Sequence, residues 1–149
     1  MSMRRLAIGV VLGGALVLAG CPGGDDPDHA MPTNTGAPAA AAGGVLTPDP
    51  GGKVITVEME TDGMGNFFEP AEFEANQGDV IRFMLVTGVH NANFLPDSNP
   101  PGTTLPPATP LLQLPGQTYD VKVEMAPGRY YFQCDPHALL GMIGYVTVK

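Results

Sequence analysis

Apolar and polar residues alternate with a period of two through most of residues 53–149, the pattern of half-buried β-strands. Residues 54–60 place Ile55, Val57 and Met59 on one face. Residues 80–87 do the same with Ile81, Phe83 and Leu85, and residues 118–125 with Tyr119, Val121, Val123 and Met125. Residues 129–134 are aromatic and extended, and residues 142–148 close the chain with alternating Ile143, Tyr145 or Val146, and Val148. Shorter extended pieces fall at 67–70 and 72–75, and 90–95 reads as a strand of low regularity. Turn-forming residues punctuate the pattern at 61–66, 76–79 and 126–128. Residues 96–116 carry so many prolines that a central strand is excluded there. That stretch either covers one side of a site or bulges from the surface. No amphipathic helix is visible. The pattern predicts an all-β domain over 53–149, a Greek-key β-sandwich or barrel of about seven to eight strands.

The first fifty residues add no core. Arg4 and Arg5 precede an apolar run over 6–19, which is shorter than the about 20 residues of a membrane-crossing helix. A charged start, an apolar stretch and small residues at its end describe a secretory signal over 1–20. The run stops at Leu18-Ala19-Gly20-Cys21, which resembles the bacterial lipobox. The resemblance implies cleavage before Cys21, lipidation of its thiol, and a protein held at the outer side of a membrane, in the periplasm or at the cell surface. Residues 21–52 are rich in proline, glycine and alanine without periodicity and read as a disordered tether. As a coil of about 30 residues it would span roughly 30 Å. His29 lies in this stretch and has no expected role.

Cysteine usage sharpens the picture. The chain has two Cys, and with Cys21 lipidated Cys134 has no disulfide partner. An unpaired thiol outside the cytoplasm invites oxidation, so it needs a reason to be kept. One lies in Cys134-Asp135-Pro136-His137 followed by Met142, where thiol, imidazole and thioether fall within one short loop between strands. Such soft and borderline donors select copper over calcium or magnesium, which prefer oxygen. Outside the tether the only other histidine is His90, directly after a strand. Two His, one Cys and one Met make the donor inventory of a trigonal copper site with a weak axial thioether. Zinc is the other metal to weigh, but Met is a poor ligand for it.

The Cys-x-Pro-His-x4-Met loop, the upstream His90-Asn91 with Phe94 and Asp97, and Phe68-Glu69-Pro70 resemble the cupredoxins, and among them the plastocyanin type. The resemblance covers about residues 53–149 and is weak over 99–116. It implies a mononuclear type 1 copper ion with His90, Cys134 and His137 as equatorial ligands and Met142 as the axial one. It also implies that Asn91 stitches the two ligand segments together near the sulfur. Leu139 and Leu140, with Pro136, either form an apolar patch that docks redox partners around His137 or pack into the core. Such proteins commonly carry Tyr immediately before the ligand Cys, whereas Gln133 stands here, which argues against a second electron exit on that side.

Charge and residue counts limit the alternatives. A formal net charge of −8 excludes nucleic acid as a partner and fits a soluble acidic surface facing a basic one. Copper delivery without redox work is a competing function, but the eight Met are scattered rather than clustered. A copper enzyme needs a second centre built from further histidines, and only His29 remains. A metal-free β-sandwich requires the ligand spacing to be accidental. The expectation is therefore a monomeric, lipid-anchored one-electron carrier rather than an enzyme. Its partners would be a cytochrome, a quinol-oxidising complex or a terminal oxidase.

Overall fold

The alternation in the sequence becomes two facing sheets whose inner residues interdigitate. The computed structural model describes residues 43–149. Seven strands are found there: β1 (Val54–Asp62), β2 (Gly65–Glu69), β3 (Glu72–Ala75), β4 (Val80–Leu85), β5 (Thr118–Lys122), β6 (Gly128–Gln133) and β7 (Ile143–Val148). One sheet has the order β2-β1-β4-β5 and the other β3-β7-β6. β1 runs parallel to β4 and β3 parallel to β7, while the remaining pairs are antiparallel. The chain crosses from one sheet to the other after β2, β3 and β5, as the predicted all-β sandwich requires. No α-helix occurs among the described residues, only single 3-10 turns at Pro96–Ser98 and Ala138–Leu140.

The inner faces carry the residues that the alternation selected. Val57 and Met59 of β1, Ile81, Phe83 and Leu85 of β4, and Val121, Val123 and Met125 in and after β5 are buried. On β7 the inward set is Gly144, Val146 and Val148, so Val146 rather than Tyr145 faces the core, and Ile143, expected inward, lies on the other face. Phe132 sits at the centre, with the rings of Phe68, Phe83, Phe94 and Phe73 at 4.9, 5.5, 5.4 and 6.1 Å. The Phe68 and Phe83 pairs are edge-on, and such pairs contribute about 0.5–1.5 kcal/mol each beyond area burial. Gly144 is required opposite this cluster, because a Cβ there would stand 2.6 Å from Cε2 of Phe132 and 2.8 Å from the Ala71 carbonyl. Inward parity on β6 runs Tyr130, Phe132 and then Cys134, so the strand's own period aims the thiol into the interior.

Three departures from the sequence reading have physical causes. The turn read over 61–66 narrows to Gly63 and Met64, with the residues on either side paired as a hairpin end. Asp62 Oδ1 accepts from the amides of Met64 (2.7 Å) and Gly65 (3.1 Å), and this tight turn lets Thr61 pair with Asn66 across β1 and β2. The irregular strand at 90–95 is reduced to two isolated bridges, His90 with Leu112 and Asn93 with Gln133. Finally, 46–52, read above as the end of a disordered tether, is fastened to the domain. The Leu46 amide donates to Asp120 Oδ2 (2.9 Å) and the Asp49 amide to the Gly78 carbonyl (2.9 Å). Lys122 Nζ donates to the Thr47 carbonyl (3.1 Å) and to Asp49 Oδ1 (2.7 Å). The signal segment 1–20, Cys21, His29 and the tether through residue 42 lie outside the described residues.

The proline-rich stretch covers the segment that carries His90. The Thr109 amide donates to the Ala92 carbonyl (2.9 Å), and Thr109 Oγ1 accepts from the Ala92 amide (2.9 Å). Leu112 is fully buried and exchanges both backbone hydrogen bonds with His90. Asn99 fastens the start of the stretch to β6, accepting the Tyr131 amide (2.7 Å) and donating to the Tyr131 carbonyl (2.9 Å).

Candidate metal centre

Strand ends, not strand interiors, deliver the donor atoms. β4 ends at Leu85 and the chain turns through Thr87 and Gly88 to bring His90 inward. β6 ends at Gln133, and the next residue is Cys134. The loop that follows is wound by its own backbone. The His137 amide donates to the Cys134 carbonyl (3.0 Å), the Leu140 amide to the His137 carbonyl (2.9 Å), and the Met142 amide to the same carbonyl (3.2 Å). Gly141 takes a φ of 92°, a left-handed turn that returns the chain towards Cys134, whose amide donates to the Met142 carbonyl (3.1 Å). Met142 is fully buried there.

Three donor atoms converge. His90 Nδ1 lies 3.1 Å from His137 Nδ1, and Cys134 Sγ lies 3.6 Å from the first and 3.4 Å from the second. The centre of that triangle is about 2 Å from each corner, close to a metal–nitrogen bond of about 2.0–2.1 Å and a little short of a metal–thiolate bond of about 2.3 Å. His90 and Cys134 are buried and His137 is partly exposed, so the cluster sits just beneath one end of the sandwich. Among the described residues this is the one group of three His, Cys or acidic side chains close enough to share an ion.

The electrostatics fit a cation at that point. Burial pushes the Cys134 thiol above its ordinary value, although backbone amides of Asn91 and His137 hydrogen-bond the sulfur. A metal-free site therefore holds a neutral thiol, and a thiolate needs a bound cation. Burial, and then the neighbouring His137, hold His90 below its ordinary value, which keeps it neutral and able to ligate. A thiolate, two imidazoles and a nearby thioether are the donor set that selects copper. The residues present thus fit one copper ion.

A belt of polar side chains locks the two ligand segments together. Asn91 Nδ2 donates to Asp135 Oδ2 (2.8 Å), and the Asp135 amide donates to Asn91 Oδ1 (2.8 Å). Asn93 Nδ2 and Gln133 Nε2 also donate to the Asp135 carboxylate. Burial would raise the Asp135 value, yet the hydrogen bonds from Asn91, Gln133 and Asn93 hold it below the ordinary range. Gln133 Oε1 accepts from the Tyr131 hydroxyl (2.8 Å). Leu139 and Leu140 are both exposed beside His137, as is Pro136, so none of the three belongs to the core.

Sequence reading named His90, Cys134, His137, Met142 and Asn91, and the first three are brought to one point. It passed over Asp135, although its place between Cys134 and Pro136 made it a candidate, and over Leu112, whose signal was an apolar pair in a proline-rich stretch. It also passed over Thr61, for which no sequence signal exists.

A two-sheet β-sandwich that closes a His-His-Cys cluster at one end defines the mononuclear copper proteins of the type 1 class. The chain belongs to the plastocyanin/azurin family of copper binding proteins, whose family model matches residues 55–149. It is 43% identical over 90 residues to plastocyanin from Vicia faba, covering 57% of this chain and 90% of that protein. It is 35% identical over 98 residues to plastocyanin from Prochlorothrix hollandica, covering 64% of this chain and 72% of that protein. The solved structure of oxidized plastocyanin from Dryopteris crassirhizoma matches with a TM-score of 0.52 and 30% identity, over 64% of this chain and all of that one. Proteins of this family are electron carriers rather than enzymes, and this chain carries one electron at a time on one copper ion.

Proposed function

We propose that His90, Cys134 and His137 hold the copper equatorially, with Met142 as the weak axial donor, and that electrons pass through the edge of His137. The observation that supports this most directly is the triangle of Nδ1, Nδ1 and Sγ with only His137 reaching the surface. When bound, copper supplies the Cu(II)/Cu(I) couple. The protein's residues do the rest. Cys134 binds as thiolate, because its buried sulfur is favoured as an anion only beside a cation. Asn91 and Asp135 keep the two ligand segments at fixed separation, so little rearranges when the charge at the site changes. The buried aromatic core beneath excludes water from His90 and Cys134.

On this reading Leu139, Leu140 and Pro136 surround the exit and form the face on which redox proteins dock. The exposure of all three beside a partly exposed ligand supports it. The N-terminal pattern supports an exported protein held by lipid at Cys21. There it would shuttle electrons between membrane-associated partners such as a cytochrome, a quinol-oxidising complex or a terminal oxidase.

The docking face is tested by electron self-exchange between copies of the chain, read from NMR line broadening in mixtures of the two copper oxidation states. Leu139→Asp is expected to slow the exchange about tenfold by placing like charges in contact, with the visible spectrum unchanged. An exchange rate equal to that of the unsubstituted chain would remove these leucines from the docking face.

A further inference from the structure

His90 can direct a lone pair from Nδ1 towards Cys134 and His137 only if its single ring proton sits on Nε2. The ring is fully buried, so bulk water cannot accept that proton, and an unmet N–H there is costly. The side chain that meets Nε2 is Thr61, near the end of β1, with Oγ1 at 2.9 Å. The hydroxyl proton of Thr61 is committed elsewhere, to Asn66 Oδ1 at 2.7 Å. Its oxygen is therefore left to accept, which makes Nε2 the donor.

Three further features serve this contact. Asn66 stands directly opposite Thr61 in the β1–β2 register. Thr87, three residues before His90, binds the Thr61 backbone twice. Its Oγ1 accepts the Thr61 amide and donates to the Thr61 carbonyl, both at 2.8 Å. Gly88, with a φ of +91°, leaves the space in which the two side chains meet. A Cβ there would stand 2.6 Å from His90 Nε2 and would also collide with Thr61 Oγ1.

We propose that Thr61, itself oriented by Asn66, is a positioning residue for the copper site that holds His90 in its Nε2–H tautomer and aims Nδ1 at the metal. The proposal rests on His90 being a copper ligand. A hydrogen bond accepted from the far side of a metal-bound imidazole raises its basicity, which favours Cu(II) over Cu(I). Loss of the Thr61 hydroxyl therefore weakens Cu(II) binding and raises the reduction potential.

The test compares the chain with Thr61→Val, which keeps the shape and removes the hydroxyl, and with Thr61→Ser, which restores it. Two quantities are read: the reduction potential by voltammetry, and the His90 tautomer in the metal-free chain from nitrogen NMR shifts. Thr61→Val is expected to lose about tenfold in Cu(II) affinity, a rise of about 59 mV if Cu(I) affinity is unchanged, and to gain the Nδ1-protonated form. Thr61→Ser is expected to match the unsubstituted chain in both. An unchanged potential and tautomer in Thr61→Val would overturn the proposal, because the Thr61 hydroxyl would then not set the tautomer. A Thr61→Ser chain shifted as far as Thr61→Val would also overturn it, by making the methyl group decisive. Should Thr61→Val not fold, Asn66→Ala decides by the same two readouts, with a shift in the same direction expected and no shift overturning the proposal. The tautomer reading needs no copper. A chain that bound no copper would refute the metal reading, and the ring nitrogens would still decide the part played by Thr61.

Discussion

At the residue scale, the site is a small number of side chains whose freedom has been removed. Asn91 is the clearest case. Both ends of its amide are used, Nδ2 donating to the Asp135 carboxylate and Oδ1 accepting the Asp135 amide, and the residue is buried. Asn91→Ala leaves the Asp135 amide without its partner and unties the two ligand segments. The expected cost is about 1–3 kcal/mol in unfolding free energy, measured by denaturant titration of the metal-free chain, with faster copper loss to a chelator. A change below about 0.5 kcal/mol with copper retention intact would show that the segments are held by other means. The proposed ligands were legible because Cys134, His137 and Met142 share one loop and the second histidine was found by counting. Thr61 was not legible, since it meets His90 across 29 positions of sequence through the parallel pairing of β1 with β4. A threonine near a strand end carries no mark of that contact.

At the element scale, strands deliver the site and carboxylates tie their ends. Period-two alternation identified β1, β4 and β5, and the aromatic run identified β6. It could not identify the bridges at His90 and Asn93, where pairing is single and the residues mix polarity. It also missed the fastening of 46–49, because a backbone amide held by the distant Asp120 leaves no pattern in the segment itself. Asp79 and Asp120 are buried carboxylates that do this tying. Asp79 accepts the amides of Lys53 and Asn76, and Asp120 accepts from Arg82 and from the Leu46 amide. Burial alone would raise both values, but the amides of Asn76 and Lys53 hold Asp79 below its ordinary range, and Arg82 with the Leu46 amide does the same for Asp120.

The sign of the resulting pH dependence follows directly. The unfolded chain takes up protons on these groups near the ordinary aspartate value of about 3.9, while the folded chain does so only at lower pH. Their contribution to stability is complete above that range and is lost as pH falls through the lowered folded values. Unfolding free energy of the metal-free chain, measured by denaturant titration from neutral to acid pH, is expected to fall across this window. The fall should be shallower in Asp79→Asn. An Asp79→Asn chain with the same acid slope would show that Asp79 does not take part in it.

At the scale of the whole molecule, the sandwich separates two tasks. The end reached by the close of β4 and β6 carries the His90–Cys134–His137 cluster, with Leu139 and Leu140 exposed just after the partly exposed His137. The opposite end receives the chain: β1 begins there, and residues 46–49 are tied beside it to Gly78, Asp120 and Lys122. Among the described residues no helix is long and apolar enough to cross a membrane. The fold was legible at this scale because seven short strands with turn signals allow few architectures.

The central claim is that Cys134 binds copper as a thiolate between two histidines. It is tested most directly by visible absorption and electron paramagnetic resonance of the Cu(II)-loaded chain beside Cys134→Ser. The account predicts an intense blue band and a narrow copper hyperfine splitting, both absent in the variant. A pale, ordinary tetragonal copper spectrum that Cys134→Ser leaves unchanged would contradict it.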